Sequence, residues 1–210
     1  MKYFRYVIYT IVTMAFFSAN AGSYEDFFGA IRNDNASALG DLLARGFDPN
    51  TRDPKGLPGL TMAIQQQSPK VEKALLDRPD IDINALNQAG ESALMMAALK
   101  GNLPAVQRLL ERGAKVNQPG WTALHYAATG PDSKIVELLL ERGAEVDAPS
   151  PNGTTALMMA AQYGSEASVE LLLKRGADPE RRNERQLRAV DFARLSGRAS
   201  LVKRLEQARR

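Results

Sequence analysis

Cysteine is absent from the 210-residue chain. That excludes a disulfide scaffold, a thiolate nucleophile and any zinc or iron–sulfur site built on cysteine sulfur. Histidine is almost absent, His125 standing alone. A catalytic base there would need a nucleophile and an orienting carboxylate close by, and its local motif supplies neither. The glycines occur singly at spaced positions, so no glycine-rich loop is present to cradle phosphates. Charge of one sign is also lacking: a formal net charge of +3 is too small to argue for nucleic acid.

What is present divides unevenly along the chain. Lys2 and Arg5 precede a mostly apolar and aromatic run from Tyr6 to Phe17, and Ser18-Ala19-Asn20-Ala21 closes it with small residues. A basic start, a short apolar stretch and a small-x-small end form the three-part pattern of a cleavable export signal, cut after Ala21. The alternative is a membrane anchor, but the run falls short of the ~20 residues a spanning helix needs. The expectation is therefore a signal peptide over residues 1–21, a mature domain over 22–210, and a periplasmic protein with no stable membrane anchor, or a secreted one if the cell has no outer membrane. Removing Lys2 and Arg5 takes the net charge from +3 to +1. Residues 181–210 hold ten basic and three acidic side chains, so residues 22–180 carry the remaining −6. An acidic body precedes a basic end.

Self-comparison is the most informative step. Gly90-Glu91-Ser92-Ala93-Leu94-Met95-Met96-Ala97-Ala98 aligns with Gly120-Trp121-Thr122-Ala123-Leu124-His125-Tyr126-Ala127-Ala128 and with Gly153-Thr154-Thr155-Ala156-Leu157-Met158-Met159-Ala160-Ala161. A weaker copy begins at Gly56 and includes Leu60-Thr61-Met62-Ala63. Each strong copy is followed by a second pattern, Val106 to Ala114, Val136 to Ala144 and Val169 to Ala177, rich in paired leucines and closed by Gly113, Gly143 or Gly176. Apolar spacing predicts two short helices per copy. Ser92, Thr122 and Thr155 are placed to cap the first helix. The closing glycines, Gly46 included, can turn left-handed and end the second. Helices this short bury their apolar sides only by stacking, with the leucine pairs forming the core.

These residues resemble the ankyrin repeat, G-x-T-A-L-H-x-A-A-x-x-G followed by V-x-L-L-L-x-x-G-A, over nearly all of the mature chain. The resemblance implies an all-α solenoid of stacked helix pairs joined by short hairpin-like links, about six copies with the terminal two as caps. It also implies a non-catalytic, monomeric binder of another protein, with hairpin tips and the exposed side of the first helices as its surface. His125 is then the motif histidine, bonding locally to Thr122. Two departures stand out. The link Val116-Asn117-Gln118-Pro119-Gly120 is three residues short, which predicts loss of its hairpin. The second copy ends without its glycine and carries Glu72 where others have valine, which predicts a weak internal copy.

No catalytic, cofactor-binding or metal-binding residue is expected. Met95 and Met158 share the repeat position of His125, which raises copper, but equivalent positions on stacked helices lie ~8–10 Å apart, too far for one ion. Met96 and Met159 read as core filler. Partner-binding residues are sought at positions the repeat leaves free: Leu57, Leu99, Trp121, Asn152, Tyr163 and Arg185. Trp121 either faces a partner or folds over the shortened link. The basic end is either a solvated cap or a dock for an acidic partner or anionic lipid. The function expected is protein binding in the periplasm; a toxin-neutralising inhibitor and a structural envelope component are the alternatives.

Overall fold

A computed structural model describes residues 22–208, which are helices joined by turns; the export signal expected over residues 1–21 lies outside them. No helix of the described residues is long and apolar enough to cross a membrane. The chain divides into two compact units at Asp82 and Ile83.

The first unit holds α1 (22–32), α2 (Ala36–Ala44), α3 (Gly59–Gln65) and α4 (Pro69–Leu76). Its core is Phe27, Ile31, Leu39, Ile64 and Leu75, all fully buried. The helix pairs are tied by polar bonds as well as packing. Asp34, in left-handed backbone at φ 48°, accepts from the amides of Lys70 and Val71 at 2.8 and 3.0 Å and so caps α4 from the neighbouring pair. The Ser68 hydroxyl donates to the Ile31 carbonyl at 2.7 Å. Position 92 of the third copy corresponds here to Pro58, which cannot offer a capping hydroxyl, and α3 begins without a side-chain cap. Glu72 is buried where the other copies place valine.

The second unit holds α5 (Ala93–Leu99), α6 (Leu103–Glu111), α7 (Ala123–Thr129), α8 (Ser133–Glu141), α9 (Ala156–Tyr163), α10 (Glu166–Lys174), α11 (Ala189–Leu195) and α12 (Ala199–Gln207). The first helices α5, α7, α9 and α11 pack side by side in that order. Their apolar sides are alanine-lined, with Ala97, Ala98, Ala127, Ala128, Ala160 and Ala161 at 1 % exposure or less. Small side chains let the backbones approach closely. At Gly164 the approach is closest: a Cβ there would lie 2.0 Å from the Ala128 carbonyl oxygen. The leucine pairs contribute unequally. Leu109, Leu139 and Leu172 are completely buried, whereas Leu110, Leu140 and Leu173 are only half-buried. The expectation that both members of each pair fill the core is corrected here. On a helix, adjacent residues point about 100° apart, so one residue of the pair turns inward while the next lies at the boundary.

The links carry an order of their own. Leu86 to Ser92 and Ser150 to Thr154 close as tight hairpin-like turns, the latter by a Ser150 amide bond to the Thr154 carbonyl at 2.9 Å. No corresponding backbone bond closes the shortened link at 117–120. Asn50, Asn84 and Asn117 bind the next link with both ends of the amide. Asn117 donates to the Gly143 carbonyl at 2.8 Å and accepts from the Glu145 amide at 3.0 Å. Asn84 does the same to Gly113 and Lys115, and Asn50 to Asp80 and Asp82. The next position in the series is Asp147, which only accepts, from the Asp178 amide at 3.1 Å.

Candidate protein-binding surface

An apolar cleft of the second unit lies across its first helices. Leu99, Trp121, His125, Tyr126, Thr129, Met159 and Tyr163 line a cleft of about 290 Å³. The repeat itself builds it. Leu99, Thr129 and Tyr163 are the last residues of α5, α7 and α9, so successive copies deliver them to neighbouring places. Trp121 enters from the shortened link just ahead of α7.

The floor of the cleft is chemically saturated. His125 is 1 % exposed. Its Nδ1 accepts from the Thr122 amide at 3.2 Å and lies 2.9 Å from the Thr122 hydroxyl. An Nδ1 that accepts from an amide carries no hydrogen, so Nε2 carries it and donates to the Thr154 carbonyl at 2.9 Å. Burial holds the imidazole below its ordinary pKa, against the opposing pull of the Thr154 and Ala148 carbonyls. The same position in neighbouring copies is filled by sulfur: Met95 Sδ accepts from the Ser92 amide at 3.5 Å and Met158 Sδ from the Thr155 amide at 3.4 Å. These methionines are thus spent inside their own copies. The Tyr126 hydroxyl donates to Glu91 at 2.6 Å, and burial together with that bond pushes its pKa far up, so it stays a donor. The Thr129 hydroxyl donates to the Tyr126 carbonyl at 2.8 Å.

The walls are aromatic. Trp121 is half-buried and meets His125 edge-on at 5.2 Å and Tyr126 at 6.5 Å. Its ring thus rests on side chains of α7 and borders the cleft. Tyr163 stands 62 % exposed. Met159 is half-buried and faces the cleft, which corrects its reading as core filler; it follows Met158 by one position, enough to turn it away from the interior.

Of the six residues singled out from the sequence, Leu99, Trp121 and Tyr163 come together here. Leu57 belongs to the first unit, half-buried in a turn where its amide donates to Asp53 at 2.8 Å. Asn152 is exposed but structural, since its side chain accepts from the Ser150 hydroxyl and the Thr154 amide at 2.7 and 3.2 Å. Arg185 is exposed at a link, its amide held by Asn183 at 3.0 Å. Tyr126 and Met159 were missed as lining residues. The signal was available: both occupy the position after the motif histidine, which the repeat does not prescribe. Much of the basic end is committed internally. Arg188 pairs with Glu180 at 3.2 Å and Asp191 at 3.3 Å, Arg194 with Glu206, and Arg204 with Glu170. Arg198 donates to the Ala160 and Ala161 carbonyls at 3.0 and 3.2 Å. Among the described residues no group of three or more His, Asp or Glu side chains could hold a metal ion.

Paired short helices repeated in register, with an apolar cleft across the first helices, define a helical-repeat protein whose usable feature is a surface. Comparison of the sequence with known families matches ankyrin repeats over residues 27–119 and 116–183. The chain belongs to the ankyrin-repeat family. Over 86 residues, 41 % of this chain, it is 34 % identical to the human transient receptor potential cation channel subfamily A member 1. It spans only 8 % of that protein's length. Among solved structures it is similar to a chain of the complex of the predatory endopeptidase Bd0816 from Bdellovibrio bacteriovorus with the immunity protein Bd3460. That match has a TM-score of 0.75 at 25 % identity and covers 87 % of this chain and 97 % of that one.

Proposed function

We propose that the chain is an exported, non-catalytic protein-binding module that works in the periplasm after losing residues 1–21, with the cleft of the second unit as its contact surface. The observation that carries the reading is Tyr163. A large aromatic stands 62 % exposed at the edge of an apolar cleft. Exposed aromatics beside desolvated pockets are typical anchors of protein interfaces. The cleft floor has no unspent nucleophile or base, which suits binding rather than chemistry. The basic start, apolar run and Ser18-to-Ala21 ending support export.

The test joins both halves. N-terminal sequencing of the protein from an osmotic-shock fraction should begin at Gly22. A photo-crosslinker placed at Tyr163 should capture one protein reproducibly, and the same probe at Arg175, just past the end of α10, should not. A chain retained in the cytoplasm, or equal capture from both positions, would sink the reading.

A second reading narrows the partner to an exported enzyme that this chain holds inactive. It is favoured by the solved complex, which pairs an endopeptidase with an immunity protein. If it holds, the captured partner is a hydrolase, and adding the purified chain suppresses its activity at equimolar amounts. A structural envelope component would instead be far more abundant than any partner and would copurify with peptidoglycan.

A further inference from the structure

Two neighbouring positions of each second helix look in opposite directions along the stack, since adjacent residues on a helix point about 100° apart. The fourth residue is completely buried in α2, α6, α8 and α10, as Leu39, Val106, Val136 and Val169, each with a helix pair of its own unit after it. In α12 the fourth residue is Val202, and it is only half-buried. The third residue shows the reverse. Val71, Ile135, Ser168 and Leu201, in α4, α8, α10 and α12, each follow a helix pair of their own unit and are at most 1 % exposed. In α2 the third residue is Ala38, and it is half-buried. Val202 and Ala38 are thus the two halves of a junction between copies, one toward each end of the described residues. We infer that they meet between molecules: a second copy of this chain sets its α1–α2 pair against the α11–α12 pair of the first, as a further pair of the stack would, and the protein associates head to tail.

The two faces match in chemistry. The surface around Ala38 is lined by Glu25, Asp26 and Asp41, against the single cation Arg45. The surface around Val202 is lined by Arg194, Arg198 and Lys203, with no acid among its lining residues. Arg194 is balanced by Asp191 and Glu206. Arg198 spends its N–H groups on the uncharged Ala160 and Ala161 carbonyls, so its charge stays uncompensated, and Lys203 is exposed. An acidic face therefore meets a basic one, which steers the two together and disfavours either face meeting its own kind. Small apolar groups lie within both faces, Gly29 and Ala38 on one, Ala199 and Val202 on the other. A cap that refuses further copies carries a polar outer face, yet neither residue 38 nor residue 202 is polar. Arg194 stands where α7 and α9 carry Ala128 and Ala161, so α12 and α2 approach more closely than α11 and α1. This association departs from the monomer that the family resemblance implies. It uses neither Tyr163 nor its cleft, and so stands or falls apart from the functional reading above.

A contact made by two different faces is heterologous and does not close on a pair. Sedimentation velocity on the purified chain, as it is recovered from cells, should at low salt show a mass that grows with concentration past the pair. Raising the salt to about 1 M, where charges are screened within about 3 Å, should weaken the association about tenfold. Ala38→Arg blocks the acidic face alone and Val202→Arg the basic face alone, so each variant should sediment as a single chain. Mixed in equal amounts, the two should form pairs of one copy of each and nothing larger. One variant keeps an intact basic face and the other an intact acidic face, while the two altered faces repel each other. Such pairing between two variants that fail alone cannot come from misfolding. The inference is overturned by a chain that stays single at every concentration, by association that stops at the pair, by association indifferent to salt, by either variant still assembling alone, or by a mixture that stays single.

Discussion

His125 is the point where one proton decides a junction between copies. Its Nδ1 must stay bare to accept from Thr122, while its Nε2–H must stay in place to satisfy the buried Thr154 carbonyl. Protonation would force a second N–H against the Thr122 amide. Because burial lowers the folded-state pKa, the unfolded chain takes up protons first as pH falls through the ordinary imidazole value of about 6.5. The stability tied to the neutral ring is fully present above that pH and is lost progressively below it. Urea melts between roughly pH 5 and 7.5 should show this slope, and His125→Met should flatten it, since Met95 and Met158 fill the same position with sulfur. The substitution should also cost about 1–3 kcal/mol at neutral pH, because the Thr154 carbonyl loses its donor. An unchanged slope would show that His125 does not couple to folding. A second single-residue constraint sits at Gly164. Its backbone is extended, so the requirement is space and not a left-handed turn. With the Ala128 carbonyl 2.0 Å from a Cβ, Gly164→Ala must push α7 and α9 apart, at roughly 1–3 kcal/mol or more by thermal melt.

At the scale of the element, stability rests on how one copy finishes the next. The asparagine series at 50, 84 and 117 uses an amide because each link offers both a carbonyl and an amide to be met. Asp147 meets only the amide, and burial raises its pKa despite the Asp178 N–H. A raised carboxyl pKa works against folding as pH rises through it. Asp147→Asn removes the desolvated charge and restores a donor toward the next link, so it should stabilise by about 1 kcal/mol in a urea melt at pH 7. A loss instead would mean that the Asp178 bond depends on the charge. The helices and their order were legible in the sequence, because apolar spacing, the Ser92 and Thr155 caps and the closing glycines all obey local rules. The asparagine series was legible too, at the period of the repeat, but it lies in the links, where hydrophobic periodicity carries no information. The unequal burial within each leucine pair and the outward turn of Met159 were not legible. They depend on the rotation of each helix against its neighbours. The convergence of Leu99, Trp121 and Tyr163, residues 22 and 42 positions apart in sequence, is likewise set by packing between copies.

At the scale of the whole molecule the question is which residues hold the protein together and which are left for a partner, and the two sets overlap at one side chain. Leu139, completely buried in α8, is purely internal, and Leu139→Ala should cost about 2–5 kcal/mol. Tyr163 is the opposite case. At 62 % exposure its truncation should move the melt by less than about 0.5 kcal/mol while weakening partner binding. On the proposed function, Trp121 belongs to both sets. It is half-buried, and its edge-on contact with His125 at 5.2 Å carries stability of about 0.5–1.5 kcal/mol beyond its buried area. Trp121→Ala should therefore lower both the melting temperature and the affinity. Tyr163→Ala should lower affinity alone, and the double variant should show the stability loss of Trp121→Ala and no more. The comparison needs only thermal melts beside binding of the partner captured at Tyr163. If Tyr163→Ala proves as destabilising as Trp121→Ala, the cleft is part of the core and the binding surface lies elsewhere. If neither changes affinity, the repeat presents its partner with some other part of the second unit or with the first.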